Sequence, residues 1–411
     1  MISRQLLERP IGGRGFWPLD PQVTFLNHGS FGSCPQPVLK FQRALQARLE
    51  RQPVRFLVDE FEALWDEARR TLAKFVGAAP ADLVFVTNAT AGVNTVLRSL
   101  VFRRGDELLV TNHEYNACRC ALDFVAARVG ARVVVADIPF PLTSPQQAVA
   151  AVLECVTRRT RLVLLDHVTS PTGLVLPIEP IIRELNARGI ESLVDGAHAP
   201  GMIPLNLKKL GATYYTGNCH KWLCTPKTAA LLYVRRDRQA KLHPLVISHG
   251  RNSARQDRSR FLLEFGWLGT GDFSAWLSVP ETLRAVGALL PGGWPAVMQR
   301  NHALALAARD LLCDALQVAP PCPDEMIGSL AAVPLPDMSA ADVKKVSNGQ
   351  TPLRTRLLRE HGIEVPIVPW PAPPQQLVRV SAQLYNSLPQ YQQLAVALKQ
   401  VVPQLRNHRK D

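Results

Sequence analysis

Between Leu83 and Val234 the chain repeats one device. Short apolar runs, rich in Val and Leu, occupy residues 83–86, 107–110, 132–136, 162–165, 192–194 and 229–234. Stretches with apolar residues at helical spacing lie among them, at 89–100, 146–157 and 178–188. A run that is apolar at nearly every position has no solvent face, so both its faces must be covered. A helix-length connection between such runs lets successive strands lie parallel. The pattern predicts an α/β fold with a mostly parallel sheet between helical layers. Ligands of such sheets gather outside the carboxyl ends of the strands. Thr87, Thr111 and Asp195 fall at those ends.

Two of the groups there carry chemistry. Ser192-Leu193-Val194-Asp195-Gly196-Ala197-His198 reads as a buried strand closed by an acid, then a glycine turn and a histidine. Downstream, Gly217-Asn218-Cys219-His220-Lys221-Trp222 sets one lysine among aromatic and small residues. A lone lysine is ordinarily a solvated surface charge, and an acid at a strand end is ordinarily a cap or turn residue. Together they are what pyridoxal phosphate needs: an amine to condense with its aldehyde and a carboxylate to pair with its protonated pyridine nitrogen.

The surroundings supply further candidates. Thr87-Asn88-Ala89-Thr90-Ala91-Gly92-Val93 opens a helix with small and polar residues, leaving backbone N–H groups for an anion. Capping by Thr87 or Asn88 explains the same residues equally well. The loop after residues 107–110 offers a flat side chain to stack on a pyridine ring, Tyr115 first and His113 second. Arg379 stands inside the apolar run Leu377-Val378-Arg379-Val380, where an unpaired charge is costly. Its guanidinium fork suits a substrate carboxylate; the plainer reading is an edge arginine facing water.

The Asp195-Gly196-Ala197-His198 and Lys221 motifs resemble those of the class V aminotransferase group of fold-type I pyridoxal phosphate enzymes, within it the isopenicillin N epimerase-like branch. Leu26-Asn27-His28-Gly29-Ser30-Phe31-Gly32 and Arg379-Val380-Ser381 resemble that branch too, and the likeness runs from about residue 23 to 385. The resemblance implies a seven-stranded-type sheet in a large domain, with a smaller α+β C-terminal domain. It places an N-terminal arm at 1–22, the cofactor domain at 23–275 and the small domain at 276–411. It implies that Lys221 is the catalytic lysine. Asp195, His198, His220, Asn218, Ala89, Thr90 and Tyr115 then bind the cofactor, with Asn27, His28 and Arg379 on the substrate. Thr270 reaches the phosphate of a neighbouring subunit, making a homodimer. Ser170 stands where related enzymes often carry an asparagine to the cofactor phenolate. Expected activities are amino-acid epimerisation, or else C–S lysis or transamination. Persulfide-forming desulfuration is disfavoured, because the loop at 368–376, where desulfurases keep a mobile cysteine, has none.

Composition excludes little else. The chain has 411 residues, 47% hydrophobic and 20% charged, ordinary for a globular enzyme of about two domains. No apolar run is long enough for a membrane span, and charges at the N-terminus break any signal core, so a cytoplasmic protein is expected. The net charge of +13 raises nucleic acid as a partner. Arginines spread along the chain, with a local cluster at 251–260, argue instead for solvated surface charge. The eight cysteines lack paired metal-site spacing, so free thiols and no structural metal are expected. Further helices are expected at 35–51, 61–76, 274–290, 301–316, 353–361 and 387–401, and further strands at 23–26, 329–333, 363–368 and 376–381.

Overall fold

The computed structural model describes residues 4–13, 15–347 and 350–402. Arg14 of the expected N-terminal arm, its first three residues, and the last nine of the expected C-terminal domain lie outside the described residues. Among the described residues twelve strands follow in chain order: β1 Thr24–Phe25, β2 Leu83–Val86, β3 Glu107–Thr111, β4 Arg132–Ala136, β5 Thr160–Asp166, β6 Glu191–Asp195, β7 Tyr214–Asn218, β8 Ala230–Val234, β9 Leu330–Leu335, β10 Ile363–Glu364, β11 Ile367–Pro369 and β12 Gln376–Ser381.

Seven of these form the central sheet, in the order β2-β8-β7-β6-β5-β3-β4. Strands β4, β3, β5, β6 and β7 run parallel, and β8 is antiparallel to both β7 and β2. The expected apolar strands are all present; β2, β3 and β8 are buried along their whole length, β5 and β6 but for one residue each, and the edge strand β4 is buried only at Ala136. The strand not foreseen is β7. Its sequence, Tyr214-Tyr215-Thr216-Gly217-Asn218, is neither aliphatic nor alternating, yet every residue is buried in mid-sheet. Close packing explains the small residues there: a Cβ on Gly217 would lie 2.7 Å from Pro200 Cγ, and Thr216 meets the helix Ala89–Ser99. A Cβ on Gly92 would lie 2.2 Å from Thr216 Oγ1, so that helix sits directly on β7.

The C-terminal region holds a three-stranded antiparallel sheet, β11-β12-β9, and the pair β1-β10. The N-terminal strand thus pairs with residues near the end of the chain. Two expected elements are divided, both by proline, and one helix is longer than expected. The helix expected at 274–290 breaks into Ser274–Leu277 and Val279–Gly287, because Pro280 has no N–H for the carbonyl four residues back. The helix expected from 301 starts at Gly293, with Pro295 harmless in its first turn. The strand expected at 363–368 divides at Pro366 into β10 and β11, and the Pro366 carbonyl accepts the Arg379 N–H instead (3.1 Å). The polar turn after β1 is a single helical turn, His28–Phe31. The arm is tied down: the buried Arg300 guanidinium donates to the Leu6 and Arg9 carbonyls. Among the described residues no helix is long and apolar enough to cross a membrane, and all eight cysteines are free thiols.

Candidate active site

Asp195 ends β6 and Asn218 ends β7, so the residues that follow them open on the same edge of the sheet. After Asp195 the chain turns at once. The Asp195 carboxylate accepts the Ala197 N–H (2.8 Å), and the Gly196 carbonyl accepts the Ala199 N–H (2.9 Å). Glycine is required at 196 because a Cβ would lie 2.2 Å from the Tyr215 hydroxyl. This turn aims His198 at the lysine. His198 Nε2 lies 3.0 Å from Lys221 Nζ, and the Trp222 indole N–H donates to His198 Nδ1 at 3.2 Å.

The Lys221 backbone is clamped from two sides. A Cβ on Gly32, whose φ is +74°, would lie 2.1 Å from the His220 carbonyl oxygen; one on Gly201 would lie 2.6 Å from the Trp222 carbonyl. His28 completes the clamp. Its ring is wholly buried, with Nδ1 2.7 Å from the Tyr385 hydroxyl and Nε2 donating to the Lys221 carbonyl at 2.9 Å. The structure thus places His28, expected on the substrate, against the Lys221 backbone, with both ring nitrogens engaged by protein groups.

Burial lowers the Lys221 amine to about 8; the Asp195 carboxylate opposes this and Arg379 adds to it. Burial likewise raises Asp195, against the Cys118 thiol (3.1 Å), the Ala197 N–H and Lys221, which favour its charged form. Behind Asp195 stand two acids that sequence reasoning did not single out. Glu114 and Asp166 face one another, and Glu114 Oε2 and Asp166 Oδ2 have no other partner. Burial and the neighbouring carboxylates push both well above the usual range, so a proton between them satisfies both. Glu114, Cys118 and Asp195 also bring ligand-type atoms within 4.8 Å of one another. A signal was there to read: Asp166 closes β5 as Asp195 closes β6, and the two are register partners on adjacent strands.

On the other side of the site Arg379, in β12, is 5% exposed. Its guanidinium donates to the backbone carbonyl and hydroxyl of Ser170 and to the Ser30 hydroxyl, and Nε has no partner. No carboxylate touches it among the described residues, and burial lowers it to about 10. Ser170, expected on the cofactor, instead holds this guanidinium. Asn27, expected on the substrate, stands one step behind: its oxygen accepts the Ser30 hydroxyl (2.5 Å), and its amide donates to Glu364 (3.0 Å).

The remaining candidates are placed as follows. Ala89 and Thr90 open the helix Ala89–Ser99, whose N-cap Asn88 accepts the Ala91 N–H; the capping reading and the anion reading thus share one helix end. The Ala89 N–H is taken by the Asn218 side chain at 2.9 Å, so Asn218 couples that helix to the lysine loop. His220 Nδ1 lies 3.2 Å from the Ala229 carbonyl. Tyr115 caps the helix Asn116–Val129, with its ring 46% exposed, within electrostatic reach of Arg379. His113 is fully buried, between Thr172 Oγ1 (2.7 Å) and the Ile138 carbonyl (2.9 Å), with its ring 4.6 Å from that of Trp370. Thr270 lies exposed on the loop after Trp267.

A buried amine of lowered basicity, an acid behind it and a buried guanidinium without a counter-ion fit pyridoxal phosphate and an amino-acid carboxylate. The comparisons agree. The Aminotransferase class-V family matches residues 35–393. The chain belongs to the class-V aminotransferase family. Pyridoxal phosphate is its cofactor. A relative, the isopenicillin N epimerase of Amycolatopsis lactamdurans, is 35% identical over 93% of this chain and 96% of its own. The probable chloroplastic L-cysteine desulfhydrase of Arabidopsis thaliana is 32% identical over 93% of this chain and 84% of its own. The fold is also that of a cysteine desulfurase from Thermococcus onnurineus, with a TM-score of 0.77 at 20% identity, covering 95% of this chain and 98% of that one. The chain is thus a pyridoxal phosphate enzyme whose relatives divide between epimerases and C–S lyases.

Proposed function

We propose that this enzyme removes the Cα proton of an α-amino acid and returns it to the opposite face, as an amino-acid epimerase. The observation that supports binding of an α-amino acid is the Arg379 guanidinium, buried, without an acid and with an unpaired Nε. Leaving such a group unpaired costs several kcal/mol, on the order of 2–3 for one charged hydrogen bond, and a substrate carboxylate relieves that cost. In this reading Ser30 and Ser170 orient the fork, and Asn27 and Glu364 hold Ser30.

The bound cofactor supplies the electron sink that acidifies the Cα–H bond. The chain does the rest. Lys221 would hold the cofactor and would take the Cα proton at Nζ as general base. An amine lowered to about 8 is available unprotonated near neutral pH, where an ordinary lysine is not. Asp195 keeps the pyridine nitrogen protonated, and the helix Ala89–Ser99 offers its N-terminus to the phosphate. His113, flat and buried, is better placed than Tyr115 to lie against the ring. The half-exposed Tyr115 phenol then remains near Arg379 as the second proton-carrying group that epimerisation needs. A homodimer, with Thr270 meeting the neighbour's phosphate, is part of the proposal, as are the cofactor domain at 23–275 and the smaller C-terminal domain.

The second reading is β-elimination from cysteine or a cysteine conjugate, supported by the desulfhydrase relatives at similar identity. One experiment separates the two. Protein loaded with pyridoxal phosphate is given L-amino acids and cysteine conjugates in deuterated water, and NMR follows Cα–H exchange and ketoacid release together. Exchange with loss of chirality and no ketoacid supports the epimerase. Ketoacid with ammonia and a thiol or sulfenate establishes the lyase. No exchange with any substrate overturns Cα deprotonation itself.

A further inference from the structure

We infer that Trp222 fixes His198 in the neutral tautomer bearing its proton on Nε2, and that this tautomer favours the unprotonated form of the Lys221 amine. Donors and acceptors decide the tautomer. An indole N–H can only donate. The Trp222 indole lies 3.2 Å from His198 Nδ1, so Nδ1 must offer its lone pair and carries no hydrogen. A neutral imidazole then has its hydrogen on Nε2. That atom is 3.0 Å from Lys221 Nζ, and an N–H facing a nitrogen at that distance requires a lone pair on the nitrogen. An ammonium there would set hydrogen against hydrogen.

The doubly protonated imidazolium is excluded by the same indole and by the surroundings. Lys221, Arg379, His28 and His220 all bear on His198 electrostatically, and burial pushes it well below the usual histidine range. Around Lys221 the opposing groups are Asp195, Asp166 and Cys118, which favour the ammonium, against burial and Arg379, which do not. Trp222 itself has no freedom to turn away. It is 1% exposed, its carbonyl abuts Gly201, and its ring lies 4.9 Å from that of His28. Trp222 is thus a positioning residue acting through His198. The inference rests on Lys221 being the cofactor lysine only for its consequence, since the tautomer belongs to the protein alone.

The test uses the full chain labelled with nitrogen-15 histidine, with and without pyridoxal phosphate. The His198 signals, among ten histidines, are assigned by their loss in His198→Gln. The expected spectrum at neutral pH shows Nδ1 unprotonated and Nε2 protonated. An Nδ1–H tautomer or an imidazolium in the wild type overturns the inference, whatever the enzyme's reaction proves to be. In Trp222→Phe, Nδ1 is released and His198 can accept from a lysine ammonium. The Lys221 amine then gains protons, and its reaction with added pyridoxal phosphate at neutral pH slows by about tenfold, one pKa step. An unchanged tautomer and an unchanged pH profile in a folded Trp222→Phe protein would equally contradict the assignment. Should that variant not fold, the wild-type spectrum still decides.

Discussion

The lysine side and the arginine side of this site are built on opposite principles. Around Lys221, polar atoms are matched: His198 by Trp222, His28 by Tyr385, the Lys221 carbonyl by His28, and the backbone by two glycines. Around Arg379 they are left open: a buried guanidinium leans on two serines, with Nε unpaired and no acid in contact. Closed networks fix geometry and open ones await a ligand. The lysine side is thus preorganised, and the arginine side is the one the proposed substrate would complete.

The largest effect expected from breaking the comparison is on the open side. Arg379→Ala should lower kcat/KM for an amino-acid substrate by roughly a hundredfold, about 3 kcal/mol, while absorbance of the lysine-bound cofactor is kept. Steady-state kinetics beside a cofactor spectrum check this; loss of both together would place Arg379 in the fold instead. On the closed side, Gly32→Ala sets a Cβ against a backbone oxygen at a left-handed φ, and we expect it to cost on the order of 2–3 kcal/mol of stability. Denaturant unfolding measures it. His28→Phe keeps the volume but strands the Tyr385 hydroxyl and the Lys221 carbonyl, at a cost of about 2 kcal/mol in the same assay, with weaker retention of cofactor.

The smallest effect concerns the acids behind Asp195. The folded protein raises the Glu114 carboxyl, so the fold binds a proton that the unfolded chain releases. That contribution is fully present below the ordinary glutamate pKa and is lost as pH climbs through the raised one. Glu114→Gln keeps a donor toward Asp166 and removes the titration. It should leave stability unchanged in acid and raise it by about 1 kcal/mol at alkaline pH, read from melting curves across pH. A variant that is less stable at every pH would show that Glu114 works as a charged partner.

Most of the fold was legible because its apolar runs have no solvent face and so admit few arrangements. Strand β7 was not, since its small residues are set by close packing, Thr216 under Gly92 of the helix Ala89–Ser99 and Gly217 against Pro200, and not by strand propensity. Lys221, Asp195 and Arg379 were legible as chemistry out of place: a lysine among aromatics, an acid at a strand end, a charge inside a strand. The protein contacts of His28, Ser170 and Asn27 were not, because adjacency in a motif does not tell which way a side chain turns. His28 turns back to the lysine carbonyl, and Ser170 and Asn27 serve the guanidinium directly and through Ser30. Glu114 and Asp166 meet only in the folded chain.

The assignment of Lys221 as the residue that holds the cofactor is open to a direct chemical test. Protein loaded with pyridoxal phosphate, reduced with borohydride and digested, should carry the phosphopyridoxyl label on the peptide containing Lys221, and Lys221→Ala should carry none. Label on another lysine, such as the neighbouring Lys227, or unchanged labelling of Lys221→Ala, would contradict it.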